Sequence, residues 1–197
     1  MRRSEDSLRP RFFNKLLTLR GGGSYVAGVT SSAPPGLSRL NAATAPEATA
    51  LLHDVCGSAA WGAAVAAGRP YARLDDLLAA SDTAMAALTA DDLGEAMAGH
   101  PPIGRPQPGD PTSAREQRGV ADTEREELLR LNLAYQDAHG HVFLICATGR
   151  TGAQMLAALK ERIGNTPDTE REIVRTELGK INRIRLTRLA APEEDPA

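Results

Sequence analysis

The sequence is poor in aromatic residues and in cysteine, and both shortages exclude classes of protein. Only 4% of its 197 residues are Phe, Trp or Tyr, so a core has to be built mostly from aliphatic side chains. The two cysteines, Cys56 and Cys146, lie far apart in the chain, and neither has Cys-x-x-Cys spacing. A disulfide framework or a cysteine-based zinc site is therefore not supported.

An excess of charge of one sign and long apolar runs are also missing. The formal net charge is -2 and the pI is about 6.1, without the basic footprint of a protein that binds nucleic acid or an anionic membrane. Arg2 and Arg3 begin the chain, but Ser4 to Arg11 is polar and no apolar signal region follows. With two cysteines and no secretory signal, the sequence predicts a cytoplasmic protein without nucleic-acid or membrane partners.

Composition changes along the chain and predicts one folded domain with loose ends. Residues 1–36 combine an Arg-rich start with Gly/Ser and Pro-rich stretches, which predicts a flexible leader. Residues 37–190 carry sustained helical patterns, and residues 191–197 are expected to form a disordered tail. A 42% hydrophobic content over this length is enough for one core of ordinary size.

Helical periodicity dominates the predicted domain. Leu40, Ala48, Leu51, Leu52 and Val55 follow one apolar stripe, which stops at Cys56-Gly57. Further helices are predicted over 61–67, 74–88, 91–97, 113–138, 151–163 and 166–189, with Thr89 as the N-cap of the third. We therefore expect an all-α fold, a single-domain bundle of about eight helices.

One short apolar run, Val142 to Ala147, does not fit the helical pattern. Its length and composition suit a strand, but a single strand has no neighbour with which to pair. We expect this segment to be extended and to line the inside of a site.

His100 begins a rigid turn, His100-Pro101-Pro102-Ile103-Gly104, and is the first candidate for proton transfer. Two prolines fix the backbone after the histidine, which lowers the entropic cost of holding its side chain in place. A lone histidine after a helix is usually a capping or solvent-facing group, and the rigid turn favours a functional role only modestly.

Glu116 is the second candidate and has two interpretations of equal weight. Ser113 and Glu116 have the spacing of a capping box, which would open the long helix without any catalytic role. A carboxylate at a helix N-terminus can also face the pocket of an anionic ligand, where backbone N–H groups favour negative charge.

Arg185 is the third candidate because it continues an apolar stripe formed by Val174, Leu178 and Ile181. An arginine near a helix end can extend along such a face into solvent. If it is buried instead, it needs an anionic partner, and a substrate carboxylate would match the planar fork of its donors.

Spaced sequence elements occur from about Leu37 to Leu189. In chain order they are Cys56-Gly57-Ser58-x-x-Trp61, Arg69-Pro70-Tyr71, His100-Pro101-x-Ile103-Gly104, Ser113-x-x-Glu116-Gln117, Asn132-x-x-Tyr135, Phe143-Leu144-Ile145-Cys146-Ala147 and Arg185-Leu186. Taken together, these elements resemble the OHCU decarboxylase family, where OHCU is 2-oxo-4-hydroxy-4-carboxy-5-ureidoimidazoline, an intermediate of urate breakdown.

The resemblance implies an all-helical homodimer that converts OHCU to (S)-allantoin and carbon dioxide without a metal or organic cofactor. The catalytic positions it implies are His100, Glu116 and Arg185. The substrate contacts it implies are Pro101, Ser113, Glu116, Gln117, Phe143, Leu144, Ile145, Cys146 and Ala147. The chain departs from the family at Pro102, where an arginine is usual, which puts an outer contact of that arginine in doubt.

Two other functions remain possible from the residues alone. In a non-enzymatic helical adaptor, the His100 turn would be structural, Glu116 a cap, and Arg185 a contact to a partner's acid. A metal hydrolase could use His100, His139 or His141 with Glu116, although no His-x-x-x-His helix signature is present. Insensitivity of the activity to chelators would exclude the metal hydrolase.

Overall fold

The described part of the chain forms eight α-helices. The computed structural model describes residues 33–98, 100 and 122–192, and within these ranges the backbone hydrogen bonds form helices and no strand. The helices are α1 (Pro35–Ala42), α2 (Ala45–His53), α3 (Ala59–Ala67), α4 (Leu74–Ala87), α5 (Ala90–Ala98), α6 (Asp122–His139), α7 (Gly152–Arg162) and α8 (Pro167–Ala190). The predicted all-α fold is confirmed.

The helix boundaries largely follow the sequence signals. Thr89 caps α5 as predicted, since its hydroxyl accepts the Asp92 N–H at 3.2 Å while the Asp92 carboxylate accepts the Thr89 N–H at 2.9 Å. Helix α1 begins at Pro35, ahead of the predicted start at Leu37. The start predicted for α6 at Ser113 lies outside the described residues, as do nearly all of the leader and most of the tail.

The first apolar stripe is divided between two helices rather than carried by one. Thr44 and Glu47 form a capping box, in which the Thr44 N–H donates to the Glu47 carboxylate at 2.8 Å, and Pro46 follows in the first turn. Leu40 therefore belongs to α1, whereas Ala48 and Leu52 are buried from α2.

Two clusters of buried side chains form the interior. The first core surrounds the fully buried Trp61 and combines side chains from α1, α2, α3, α4, α5 and α8. The Trp61 Nε1–H donates to the Ser81 carbonyl at 3.3 Å. The second core contains Leu128 and Tyr135 from α6 and Met155 and Leu159 from α7. None of the described helices is long and apolar enough to cross a membrane.

Two arginines tie helix ends to distant parts of the fold. Arg69 Nη1 donates to the carbonyls of Leu40 at 2.7 Å and Ala43 at 2.8 Å, at the end of α1. Arg175, on α8, donates in the same way to the carbonyls of Met85 and Leu88 at the end of α4. Both arginines thus donate to carbonyls in the last turn of a helix or just beyond it, where partners within the helix are few.

Gly36 allows α1 to pack directly on the end of α8. A Cβ atom at this position would lie 2.7 Å from the Ala191 carbonyl oxygen and would overlap the Leu189 oxygen as well. The contact is with backbone atoms, which cannot turn aside as a flexible side chain can. A side chain at residue 36 would therefore separate the two helices.

We expect Gly36→Ala to lower the free energy of unfolding by about 1–3 kcal/mol, the usual cost of overpacking. Gly94→Ala is the matched control, since it lies within α5 and its added Cβ would meet nothing within 4 Å. The control should gain about 0.5–1 kcal/mol from the better helix former. Urea unfolding of both variants checks this, and equal stability of the two would contradict the close packing.

Candidate active site

Two of the three predicted catalytic residues lie in the described part of the chain. His100 is half-buried just after α5, and its backbone N–H donates to the Met97 carbonyl at 2.9 Å. Arg185 is half-buried on α8. Pro101, Ser113, Glu116 and Gln117 lie outside the described residues, so their roles in the site stay predictions.

Arg185 reaches across to the turn that follows α2. Its Nη1 donates to the Val55 carbonyl at 3.1 Å, while Val174, Leu178 and Ile181 of the predicted stripe are buried. The guanidinium thus does not extend fully into solvent. It carries five N–H donors, so a bond to one backbone carbonyl is compatible with further partners.

Cys56 lies next to the residue that Arg185 holds and is almost fully buried. Burial raises the pKa of its thiol, and this effect outweighs the lowering by the Ser58 N–H, the Asn182 side chain and the Arg185 charge. The thiol is therefore protonated at neutral pH. A protonated, buried thiol is a poor nucleophile and a poor metal ligand, so Cys56 contributes packing rather than chemistry.

The predicted extended segment passes between the two cores. Its side chains alternate: Leu144 and Cys146 belong to the first core, whereas Phe143, Ile145 and Ala147 belong to the second. This alternation is the period of an extended backbone, whose successive side chains point to opposite sides. Burial on both sides explains why the run is apolar throughout. We refer to residues 143–147 as the wall segment.

Charged side chains take the place of a neighbouring strand. Arg162 Nη1 donates to the Leu144 carbonyl at 2.9 Å, and the Cys146 N–H donates to Glu177 Oε2 at 2.8 Å. Arg150 Nε donates to the Cys146 carbonyl at 3.2 Å. These three side chains bond three backbone groups that a neighbouring strand would otherwise bond.

Arg162 is itself held by a buried carboxylate. Its Nε lies 2.9 Å and its Nη2 2.5 Å from Glu170 Oε1, and both side chains are almost fully buried. Asn165 donates to the other Glu170 oxygen at 2.9 Å, and the Tyr135 hydroxyl also donates to this carboxylate. The Arg162 guanidinium carbon lies 4.6 Å from the centroid of the Phe143 ring.

The surroundings of Glu170 keep it ionised. Burial raises the pKa of the carboxyl, but the hydrogen bonds from Arg162, Tyr135 and Asn165 together outweigh burial and lower the pKa of Glu170 below its ordinary value. Burial, with the carboxylate beside it, raises the pKa of the Tyr135 hydroxyl, which remains a donor. Tyr135 is thus a core tyrosine of the second cluster with a bonded hydroxyl.

Two of the three histidines of the metal-hydrolase alternative, His139 and His141, lie beside Tyr135. His139 Nε2 is 3.2 Å from the Ile163 carbonyl, and His141 Nδ1 is 3.1 Å from the Val142 carbonyl. Among residues 33–98, 100 and 126–192, no three His, Cys, Asp or Glu side chains are grouped so that they could hold a metal ion. Glu116 is not part of that set.

The sequence patterns did not identify Arg150, Arg162, Glu170 or Glu177 as supports of the wall segment. A signal for two of them was present, because Glu170 and Glu177 fall on the same face of α8 as Val174, Ile181 and Arg185. Acidic residues on a buried stripe need partners, and that requirement could have marked them.

We expect Arg162→Met to lower the free energy of unfolding by about 3–5 kcal/mol at neutral pH, because it leaves Glu170 buried and unpaired. The native pair contributes stability above the ordinary Glu pKa of 4.5, and that contribution is lost as pH falls through the lowered value. The carboxyl of the variant has a raised pKa instead, so the difference from wild type should shrink near pH 4.

Urea unfolding at pH 7 and pH 4 measures this effect. Lys160→Met is the control, since it breaks the exposed Lys160–Glu127 pair of 2.8 Å and should cost less than about 1 kcal/mol. Equal losses in the two variants, or a pH-independent loss in Arg162→Met, would show that the buried pair is not holding this region.

Known proteins resemble this chain over most of the described fold. A family model described as OHCU decarboxylase matches residues 41–187. The uric acid degradation bifunctional protein TTL of Arabidopsis thaliana is 32% identical over 144 residues, which is 68% of this chain and 44% of that protein. The 2-oxo-4-hydroxy-4-carboxy-5-ureidoimidazoline decarboxylase of Amia calva is 31% identical over 133 residues, covering 63% of this chain and 76% of that one.

Solved structures also resemble this chain. A crystal structure of OHCU decarboxylase in the presence of (S)-allantoin is matched with a TM-score of 0.63 and 30% identity, covering 70% of this chain and 94% of that one. A crystal structure of (S)-allantoin synthase, 23% identical, shares the fold with a TM-score of 0.59, covering 78% of this chain and 53% of that one. This chain spans less than half of the bifunctional Arabidopsis protein. The chain belongs to the OHCU decarboxylase family.

Proposed function

We propose that this protein decarboxylates OHCU to (S)-allantoin and carbon dioxide in urate degradation. The observation that carries the proposal is the family match over residues 41–187, which includes all the predicted site residues. The Amia calva relative, of which this chain covers 76%, is named for the same reaction. The buried wall segment and the half-buried Arg185 are consistent with a site that excludes water.

The chemistry requires little beyond orientation, dehydration and proton transfer. Loss of carbon dioxide leaves an electron pair on the carbon that carried the carboxylate. In OHCU this carbon adjoins a C=N group that can accept the pair, so the substrate supplies the electron sink that other decarboxylases take from a cofactor. We therefore propose catalysis without a metal or organic cofactor.

Each site residue has a role in this proposal. His100 and Glu116 bond the 4-hydroxyl group and the ring nitrogens and stabilise them as charge develops. Arg185 binds an anionic group of the substrate with its fork of donors. Phe143, Leu144, Ile145, Cys146 and Ala147 exclude water around the departing carboxylate.

The segment outside the described residues completes the pocket in this proposal. Pro101, Ser113 and Gln117 contact the substrate beside His100 and Glu116. As the 4-hydroxyl group becomes a carbonyl, a proton is added to one face only of the adjacent ring carbon, the one that had formed the C=N bond, and this gives the S product. Chirality is therefore a direct readout of an enzymatic reaction.

We also propose that the protein acts as a homodimer in the cytoplasm. The family resemblance supports a homodimer, and two free, buried cysteines fit the reducing cytoplasm. Light scattering after size exclusion tests the dimer. The rival function, a helical adaptor, predicts no turnover of OHCU at all.

We expect the wild-type protein to accelerate the decay of freshly generated OHCU and to yield (S)-allantoin, followed by circular dichroism. His100→Ala should reduce kcat by about 10²-fold or more, because proton transfer and charge stabilisation are lost, while its fold is retained. His53→Ala, on the exposed face of α2, is the control and should retain full activity. Wild-type turnover by a folded His100→Ala variant would remove this residue from the mechanism.

Glu116→Gln separates the two roles of the carboxylate. Glutamine still completes a capping box, so a structural role predicts normal kcat and a stability loss of at most about 1 kcal/mol. We expect the opposite result: a near wild-type melting temperature and a kcat lower by about 10²-fold, because a neutral amide cannot accept a proton. Steady-state kinetics and thermal unfolding of the variant decide between them.

A further inference from the structure

The peptide groups on either side of Cys146 are held by charged side chains. The Cys146 N–H donates to Glu177 Oε2 at 2.8 Å, and the Cys146 carbonyl accepts from Arg150 Nε at 3.2 Å. The two holding residues also approach each other, with Arg150 Nη2 4.0 Å from Glu177 Oε1. We call Glu177 and Arg150 the Cys146 clamp.

Glu177 has the surroundings of a fixed acceptor rather than of a surface acid. Its side chain is only 8% exposed, and Lys180 Nζ lies 2.5 Å from Oε1. One oxygen thus takes the two cations, and the other remains for the Cys146 N–H. A bond from an N–H group to an ionised acceptor is stronger and shorter than a neutral one, so it fixes the backbone more firmly.

Helix α8 connects this clamp to Arg185. Glu177 and Arg185 are eight residues apart on one continuous helix, a rise of about 12 Å. Arg185 in turn holds the Val55 carbonyl, and Val55, Cys56 and Cys146 all belong to the first core. The wall segment and the arginine of the site are therefore positioned by the same rigid element.

We propose that Glu177 is a positioning residue for the decarboxylation: by accepting the Cys146 N–H, it sets the position of the wall segment relative to Arg185. This inference rests on the proposed function. Glu177 does not touch the substrate and takes no part in proton transfer. Its loss leaves the segment buried and still bonded at Leu144, but lets the backbone at Cys146 shift, and misplacement of about 1 Å can lower a rate by about 10²-fold.

Three variants test the role in catalysis. Glu177→Ala should lower kcat by about tenfold or more with a smaller change in KM, because the pocket is misaligned for the transition state. Glu177→Gln retains an oxygen acceptor and should recover most of the lost kcat. Glu172→Ala, which removes an exposed acid of the same helix paired with Arg175, should match wild type. Unchanged kcat in a folded Glu177→Ala, or equal losses in the Ala and Gln variants, would overturn the proposal.

Hydrogen exchange at the Cys146 amide gives a readout that does not depend on activity. We expect protection in wild type, Glu177→Gln and Glu172→Ala, and fast exchange in Glu177→Ala. If wild type fails to decarboxylate OHCU, the proposed function fails, while protection at Cys146 still tests the clamp. Wild-type protection of Cys146 in Glu177→Ala would overturn the clamp itself.

Arg150 offers a second approach if Glu177→Ala does not fold. Arg150 is half-exposed, so Arg150→Ala should fold while removing the bond to the Cys146 carbonyl. The clamp predicts a lower kcat for this variant with a near wild-type melting temperature. A kcat equal to that of wild type would contradict positioning of the wall segment through the backbone of Cys146.

Discussion

The wall segment is a buried stretch of backbone that has no neighbouring strand among the described residues. The surrounding structure depends on how its backbone groups are bonded. Residues 143–147 are all buried, and their N–H and carbonyl groups cannot turn to water. Leu144 and Cys146 are instead bonded by Arg162, Glu177 and Arg150. Bonds to ionised groups are about twice as strong as neutral ones, so a few side chains can replace a strand.

Using charged side chains in this way creates a second requirement, since buried charges themselves need partners. The Glu170 carboxylate is the partner of Arg162, and Asn165 and Tyr135 donate further hydrogen bonds to Glu170. Each side chain of this network therefore depends on the others. The complete network can contribute more to stability than the sum of its separate hydrogen bonds. The described interior is consequently charged behind the wall segment, where Arg162 and Glu170 are both buried.

The sequence predicted those parts of the fold that local patterns determine. Capping signals located the start of α5 at Thr89, and apolar stripes located most helices. The extended backbone of the wall segment could also be predicted, because an apolar run too short for a helix suggests an extended conformation.

The division between α1 and α2 was missed, because the stripe continues across it while Thr44, Pro46 and Glu47 begin a new helix. The buried stripe of α8 could have marked Glu170 and Glu177 as needing partners, but not which partners. Arg162 and Glu177 are distant in sequence from the wall-segment atoms they bond. Partnership between buried charges is a property of the folded structure, whereas the candidates His100, Glu116 and Arg185 came from residue chemistry and from the family resemblance.

Helix α8 connects the wall segment, the cores and the site, because one face of this helix carries residues that belong to each of them. Glu170 lies near its start, Glu177 near its middle and Arg185 toward its end, with Val174 and Ile181 between them in the first core. An uninterrupted helix transmits position accurately along its length, since every turn is fixed by backbone bonds. A reaction that takes its electron sink from the substrate leaves the protein mainly the task of holding groups in place. For the proposed decarboxylation, a wall segment and an arginine fixed to one helix are a direct physical means of doing so.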